Sequence, residues 1–259
     1  MRASTSAVVR AGGVLGDLRC EPPLTVRRVT APPGVCGLCL VGTAAGPLAG
    51  DEHLLDLRLE PYARAALTAA GASIAQGRGG APATVTQRAR LDAGAELVAD
   101  PGPLVVSEGS RVAVRVELDL AADASIEWRE LIVLGRSMDA APGRATVRWD
   151  VVRAGRPVLR QLLRLPTMFA PRRVLASALL TGPLVAARTV VAGPLAVAQQ
   201  IDATTSLVTV LADDAASAVR ERDRLVRLVS GQRSALAGVR APLGEHDGLE
   251  DHRDRVQQD

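Results

Sequence analysis

Hydrophobic and polar residues alternate with a period of two along most of this chain. In "RVAVRVELDL", Arg111–Leu120, valine and leucine occupy every second position from Val112 onward, and charged residues fill most of the positions between them. This alternation is typical of a strand with one buried face and one solvated face. The same pattern, at varying strength, predicts further strands in "LLDLRLE", "TVTQRARL", "SIEWRELIVL", "ATVRWDVVR" and "SLVTVL".

Turn residues separate these segments. The stretches "PGPL", "EGSR", "APGR" and "RAGRP" supply glycine for positive φ or proline for a fixed φ. Strands and helices do not alternate regularly, as they would in a protein built from βαβ units. The pattern therefore predicts a mainly β protein with a single β-rich domain over residues 1–243 and no composition break inside it. Residues 244–259, "GEHDGLEDHRDRVQQD" with the two final histidines, are charged and lack an apolar period, which predicts a disordered tail.

Two segments differ from the strand pattern. The alanine-rich stretch "ARAALTAAGASIA", residues 63–75, is predicted to be helical on propensity alone. A clearer helix is predicted near the C-terminus, where Asp213 or Asp214 can cap its first turn. The apolar residues of that segment at helical spacing are Ala218, Leu225, Val226 and Val229.

One run, from Val174 to Ala198, is apolar enough to raise the question of a membrane-spanning helix. Arg188 lies within it, and Gly-Pro pairs at 182–183 and 193–194 divide it into pieces shorter than the roughly 20 residues that a spanning helix needs. The run is predicted to form two buried strands joined by Gly-Pro turns, and no membrane association is expected.

Composition narrows the possible chemistry. Only 2% of the 259 residues are aromatic, so the core must be aliphatic, and all 31 basic residues are arginine. The absence of lysine excludes Schiff-base chemistry and a Walker-type phosphate loop. The net charge of +3 comes from arginines interleaved with acidic residues, without the aromatic residues that stack on single strands, so nucleic-acid binding is not expected. Three cysteines are too few for a disulfide framework, which indicates a cytoplasmic protein.

The segment from Cys36 to His53 contains the candidate metal ligands. Cys36 and Cys39 form a Cys-x-x-Cys pair, and His53 follows Asp51 and Glu52. A structural zinc site needs four ligands, and a redox pair would open a helix, whereas this pair continues as a strand. Ordinary strand positions for the cysteines and a solvated turn around His53 are favoured, but a small nickel or zinc carrier that uses these three residues remains the alternative.

Glu130 is unusual because it shares a strand face with Trp128 and Ile132. A carboxylate on an apolar face must find a partner or face water. Arg136, at the end of the same strand, is an available partner, so either an intramolecular ion pair that fixes a turn or a role in binding is expected.

Four motifs in one order resemble the urease accessory protein UreD family, also called UreH. They are "AGPLAGD", ending at Asp51; "ELVADPGPLVVSEGSR", which carries Pro101 and Pro103; "ELIVLGR", with Glu130, Gly135 and Arg136; and the closing "SLVTVLADDAASAVRERDRLV". The similarity spans residues 34–238. Ala45, Ala49 and Arg144 depart from the family pattern, so the chain resembles a divergent member.

The resemblance implies a partly coiled, superhelical β sheet domain with one or two helices near its C-terminus, and it assigns residues 63–75 to strands. It also implies a cytoplasmic scaffold without catalytic residues that binds apo-urease, recruits UreF and, through UreF, the GTPase UreG, and assists nickel insertion. No tightly bound cofactor is expected, and Ni²⁺ is expected only transiently. Residues that shape the turn, an internal channel or a partner surface are Asp51, Pro101, Pro103, Glu130, Gly135 and Arg136. A hydrolase with an unrecognised site is a third possibility, which the scarcity of histidine disfavours.

Overall fold

The computed structural model describes residues 1–77, 79–167, 171–183, 185–186 and 188–230. The predicted tail therefore lies outside the described residues. Strands and one α-helix follow one another in the order β1 (Arg2–Arg10), β2 (Val14–Cys20), β3 (Leu24–Val29), β4 (Cys36–Gly42), β5 (Glu52–Leu59), β6 (Arg64–Ala69), β7 (Ser73–Ala75), β8 (Ala83–Leu91), β9 (Glu96–Ala99), β10 (Pro103–Val106), β11 (Arg111–Leu120), β12 (Ser125–Leu134), β13 (Arg144–Arg153), β14 (Arg156–Leu165), β15 (Val174–Thr181), β16 (Val190–Gly193), β17 (Ala196–Asp202), β18 (Thr205–Ala212) and α1 (Ala215–Val229).

The strands form two sheets. The first is 7-stranded, with the order β14-β13-β11-β8-β5-β1-β2. The second is 11-stranded, with the main order β16-β17-β18-β15-β12-β9-β6-β4-β3, while β10 pairs with β12 and β7. Of the described residues, 60% lie in strands and 8% in helix, so the protein is mainly β, as predicted.

The middle of the chain runs as a solenoid-like coil that visits the sheets in turn. From β5 to β12, each turn of the coil adds one strand to the first sheet and one or two to the second. Successive turns stack in parallel, so that β5 pairs with β8, β8 with β11 and β11 with β13. The coiled sheet that the family resemblance implies is confirmed.

The main hydrophobic core lies between the two sheets. It collects the inward faces of the alternating strands, including Val112, Val114, Val116 and Leu118 of β11. Trp128 and Trp149, from opposite sheets, are the two aromatic residues of this cluster, and its other buried residues are aliphatic apart from Cys36. The alternation along the sequence therefore identified the inward faces correctly.

The alanine-rich segment forms β6 and β7, so the helix predicted from propensity is wrong. Ala65 and Leu67 point into the core, and β6 pairs in parallel with β4 and with β9. Two sheet partners and the burial of Ala65, Ala66 and Leu67 outweigh the intrinsic preference of alanine for helix. Small side chains also suit the close spacing of the stacked strands.

The apolar run after residue 173 contains three strands where two were predicted. β15 is buried along its whole length, as expected. The second part, however, is a hairpin of the short strand β16 and β17, with its turn at residues 194–195, and much of β16 is exposed. No helix in the described part of the chain has the length and apolar character that a membrane crossing needs.

Helix α1 packs on the outer face of the second sheet. Its buried residues Ala218, Leu225, Val226 and Val229 contact a second apolar cluster that includes Val208 and Leu180. Both the helix and its buried stripe were predicted from the sequence. The Asp214 carboxylate accepts a hydrogen bond from the backbone N–H of Ser217 at 2.8 Å, which makes Asp214 the N-cap.

Removing this cap should weaken the end of the fold. We expect Asp214→Ala to lower Tm by roughly 3 °C, because the Ser217 N–H loses its acceptor and the first turn frays. The measurement is thermal unfolding followed by circular dichroism. Asp213→Ala, which removes only an exposed ion pair with Arg172, should change Tm by less than about 1 °C. Equal effects of the two substitutions would contradict the capping role.

Candidate functional site

Asp51 closes a tight turn immediately before β5. Its backbone N–H donates to the Leu48 carbonyl at 3.0 Å, and its carboxylate accepts from the Leu48 N–H at 2.9 Å and from the Met1 amine at 2.6 Å. Burial opposes ionisation, but these hydrogen bonds and the nearby amine hold the pKa of Asp51 below its usual value. The carboxylate is therefore ionised and fixed, and it organises the turn.

His53 lies two residues farther along, on the inward face of β5. Its Nε2 atom is 4.0 Å from a carboxylate oxygen of Asp51 and makes no hydrogen bond with the described residues. Burial lowers the pKa of His53, although the Asp51 charge opposes this. The imidazole is consequently neutral near pH 7 and has an unsatisfied nitrogen inside the protein.

A small cavity lies beside His53, between the two sheets. Its volume is about 40 Å³. Gln87 of β8 also lines it, and the Gln87 Oε1 atom is buried without a hydrogen-bond partner among the described residues. A water-sized group needs about 10–15 Å³, so this space accommodates small polar species but no organic substrate. The two unsatisfied atoms make the cavity polar in an otherwise aliphatic interior.

The Pro101-Gly102-Pro103 segment lines another part of this cavity. It connects β9 to β10 and bends at Gly102, whose φ of +85° favours glycine. A Cβ atom on Gly102 would lie 2.6 Å from the Ala69 side chain, which leaves no room for a larger residue. The structure thus brings Pro101 and Pro103 together with His53 around one cavity.

Glu130 faces the interior from β12, one residue before Leu131, which pairs with Pro103. Its side chain is buried, and its Oε2 atom accepts a hydrogen bond from the indole Nε1–H of Trp149 on the opposite sheet at 3.2 Å. Its Oε1 atom has no partner among the described residues. Burial raises the pKa of Glu130 to about 7, against the smaller opposing effect of the Trp149 hydrogen bond. Glu130 is therefore a buried acid that can exchange a proton near neutral pH.

The expected ion pair between Glu130 and Arg136 is absent. Glu130 points between the sheets, whereas Arg136 lies beyond the strand end and pairs with Asp139, with Nη2 and Oδ1 2.9 Å apart. Asp139 also accepts from the backbone N–H groups of Arg136 at 2.8 Å and Glu108 at 3.0 Å. These contacts, led by the Arg136 guanidinium, hold the pKa of Asp139 well below its usual range.

Gly135 and Arg136 therefore belong to a turn rather than to the cavity. Gly135 has a φ of +96°, and its N–H donates to the Val106 carbonyl at 2.8 Å. Arg136 is half-exposed above the buried Asp139 carboxylate. Through the hydrogen bond from Gly135 to Val106, this turn fixes the end of β12 to the end of β10.

The structure does not bring Cys36, Cys39 and His53 together. Cys36 belongs to the core between the sheets, whereas Cys39, three residues along β4, lies on the opposite face of that strand. His53 lies on the other sheet. Burial raises the pKa of the Cys36 thiol, although Arg28 opposes this, so the thiolate that a metal needs is disfavoured. Within the described ranges no three His, Cys, Asp or Glu side chains are grouped as a metal site.

Three important residues were missed in the sequence. Gln87 shares the inward face of its strand with Val85 and Ala89, so a polar residue in an apolar register could have signalled it. Asp139, three residues after Arg136, could have been found as a turn partner. The Trp149 contact with Glu130 joins two sheets, and no local pattern indicates it.

Comparison with known proteins agrees with the fold. A family model described as UreD urease accessory protein matches residues 3–243. A protein named urease accessory protein UreD from Parafrankia sp. (strain EAN1pec) is 33% identical over 263 residues, which cover 89% of this chain and 89% of that protein. Its namesake in Streptomyces coelicolor is 37% identical over 168 residues, covering 63% of this chain and 66% of that protein. The Streptomyces avermitilis protein of the same name is 36% identical over 160 residues, which cover 60% of this chain and 61% of that protein.

Proposed function

The chain belongs to the UreD family of urease accessory proteins, and on that premise we propose that it is a scaffold that binds apo-urease and recruits UreF. Through UreF it brings the GTPase UreG to the complex, so that nickel is inserted into the urease active site. The observation that carries the proposal is the family match over residues 3–243. A role in urease maturation follows from that membership. The binding of apo-urease, UreF and UreG goes beyond it and is our proposal.

The interior supports a scaffold rather than an enzyme. The cavity between the sheets, at about 40 Å³, is far smaller than the several hundred Å³ of a typical ligand pocket. The buried polar groups are not arranged as a nucleophile with its base: His53 and Gln87 line the cavity, whereas Glu130 lies elsewhere between the sheets. Acting in the cytoplasm, the protein would serve as a docking body and perform no chemistry of its own.

Nickel in this proposal is a transient cargo and not a resident cofactor. Polar atoms of His53, Gln87 and Glu130 are buried without partners in the space between the sheets. Such atoms favour the entry of a small polar or cationic species into an otherwise aliphatic interior. Asp51, Pro101, Pro103 and Glu130 would line or shape that route. The turn at Gly135 and Arg136 would instead hold an external surface.

Co-purification tests the proposal. Tagged protein co-expressed with the urease subunits and UreF should capture both, and UreG should join only when UreF is present. Omission of UreF is the matched control, because it should remove UreG from the complex while urease itself is retained. A sample that is folded by circular dichroism yet captures neither apo-urease nor UreF would refute the scaffold function.

A further inference from the structure

The outer face of the first sheet carries an uneven distribution of charge. On its middle strands the arginines are paired: Arg88 Nη2 lies 2.7 Å from Glu117, Arg90 Nη2 lies 3.1 Å from Asp119, and Arg58 Nη2 lies 3.6 Å from Asp92. Helix α1 packs only on the second sheet, so no described helix covers this face.

At one corner of the same face, the arginines are arranged differently. Arg111 on β11 lies opposite Arg144 on β13, and Arg115 lies opposite Arg148, each pair in direct register. Neighbouring strands are about 4.8 Å apart, and the two pairs are about 13 Å apart along the strands. We call these four exposed residues the arginine corner.

Most of the positive charge of this corner has no carboxylate partner. Among the described residues, Arg115 and Arg144 form no ion pair, and Arg111 donates to the backbone carbonyl of Gly80. Arg148 alone pairs with a carboxylate, that of Asp150. Like charges directly opposite on adjacent strands destabilise a sheet. The fold therefore carries a local cost here, which the contacts of Arg111 with Gly80 and of Arg148 with Asp150 offset only in part among the described residues.

The residues around the arginine corner favour a folded protein over a nucleic acid as its partner. Glu117 and Asp150, which lie opposite each other two residues beyond Arg115 and Arg148, bound the patch with negative charge. A phosphate backbone that followed the strands would leave the unpaired arginines there and meet carboxylates that already hold Arg88 and Arg148. Among the described residues, the corner also lacks the exposed aromatic residues that stack on bases, because Trp128 and Trp149 are buried in the core and the exposed Tyr62 follows β5 at the opposite end of the parallel strands.

The chemistry of the corner fits carboxylates on a partner surface. A guanidinium binds a carboxylate through two parallel hydrogen bonds, and arginine is enriched at the centres of protein interfaces. Leu162, which pairs with Arg148 across β13 and β14, is 49% exposed and supplies an apolar contact beside the charges. This combination is typical of a protein docking site.

We propose that the arginine corner, together with Leu162, docks a carboxylate-rich surface of apo-urease. The assignment rests on the proposed function. We choose apo-urease over UreF because the corner lies on the outer face of the 7-stranded sheet, which no described helix covers. The contact is mainly ionic and therefore sensitive to salt.

The test compares two double variants of equal charge in the co-purification assay. Arg115→Gln with Arg144→Gln removes two unpaired cations from the corner. Arg2→Gln with Arg58→Gln removes two paired cations, partners of Glu52 and Asp92, from the far side of the same face. We expect the corner variant to capture at least tenfold less apo-urease at physiological salt and to lose most of the salt dependence. The control variant should capture apo-urease like the unmodified protein.

Arg144→Glu separates docking from folding. It places a carboxylate opposite Arg111, so it should raise Tm slightly while capture of apo-urease falls. Unchanged capture by both corner variants, or an equal loss in the control variant, would overturn the proposal and leave the scaffold function intact. Loss of UreF with apo-urease retained would also overturn it, as would corner-dependent retention on an immobilised DNA duplex. If the unmodified protein captures no partner, the proposed function fails and this inference fails with it.

Discussion

Glu130→Gln is expected to make the protein more stable than the unmodified chain at pH 8 but not at pH 5. The glutamine side chain keeps an oxygen that accepts the Trp149 hydrogen bond, and it removes a group whose ionised form is costly between the sheets. Since burial raises the pKa of Glu130 from 4.5 to about 7, the difference in unfolding free energy should reach about 3 kcal/mol above pH 7.

The direction of this effect follows from proton uptake. Between pH 4.5 and 7 the folded protein retains the Glu130 proton that the unfolded chain has released. The contribution of Glu130 to stability should therefore be complete below pH 4.5, fall as the pH rises from 4.5 to about 7, and level off above that. In the variant this part of the pH dependence disappears.

Urea unfolding at pH 5, 6, 7 and 8 measures the effect. Glu52→Gln is the matched control, because it makes the same chemical change at an exposed carboxylate outside the interior. Parallel profiles of the unmodified protein and Glu130→Gln would contradict a buried, proton-retaining Glu130. If Glu130 also lines the nickel route, the stabilised variant should yield less active urease, which is a separate readout.

The sequence predicted which residues face inward but not which strands are neighbours. The alternation in Arg111–Leu120 coincides with β11, and the shared face of Trp128, Glu130 and Ile132 is found in β12. A period of two determines a face, since it depends on one strand alone. Pairing depends on how the chain coils, and the parallel register of β11 with β13 joins residues more than thirty positions apart. Only the family resemblance indicated this coil.

The residues of the candidate site also differ in whether the sequence could identify them. Asp51, Pro101 and Pro103 were predicted because they lie in motifs that resemble those of the family, and the structure places Pro101 and Pro103 beside the cavity. The partner of Glu130 was predicted wrongly because Arg136 is close in sequence, whereas Trp149 approaches from the opposite sheet. Contacts across the core require the relative positions of the two sheets, which no local pattern contains.

At Gly143 two backbone segments approach each other so closely that a side chain has no room. A Cβ atom at this position would lie 2.4 Å from the Val106 carbonyl oxygen and 2.6 Å from the Ser107 carbonyl oxygen. Neither atom belongs to a flexible side chain. Val106 also accepts the Gly135 N–H at 2.8 Å, and the Arg144 N–H donates to Ser110 at 3.0 Å, so the surrounding backbone is fixed from several sides.

Gly143→Ala should therefore destabilise the protein by about 3 kcal/mol, because the added methyl group forces β10 away from the start of β13. In a chain of this size the loss corresponds to a fall in Tm of roughly 10 °C. Gly71→Ala is the control, since a Cβ atom there meets nothing within 4 Å, and it should change stability by less than about 0.5 kcal/mol. If Gly143→Ala and Gly71→Ala had the same Tm, the backbone at Val106 and Ser107 would be able to move away from residue 143 at little cost in stability.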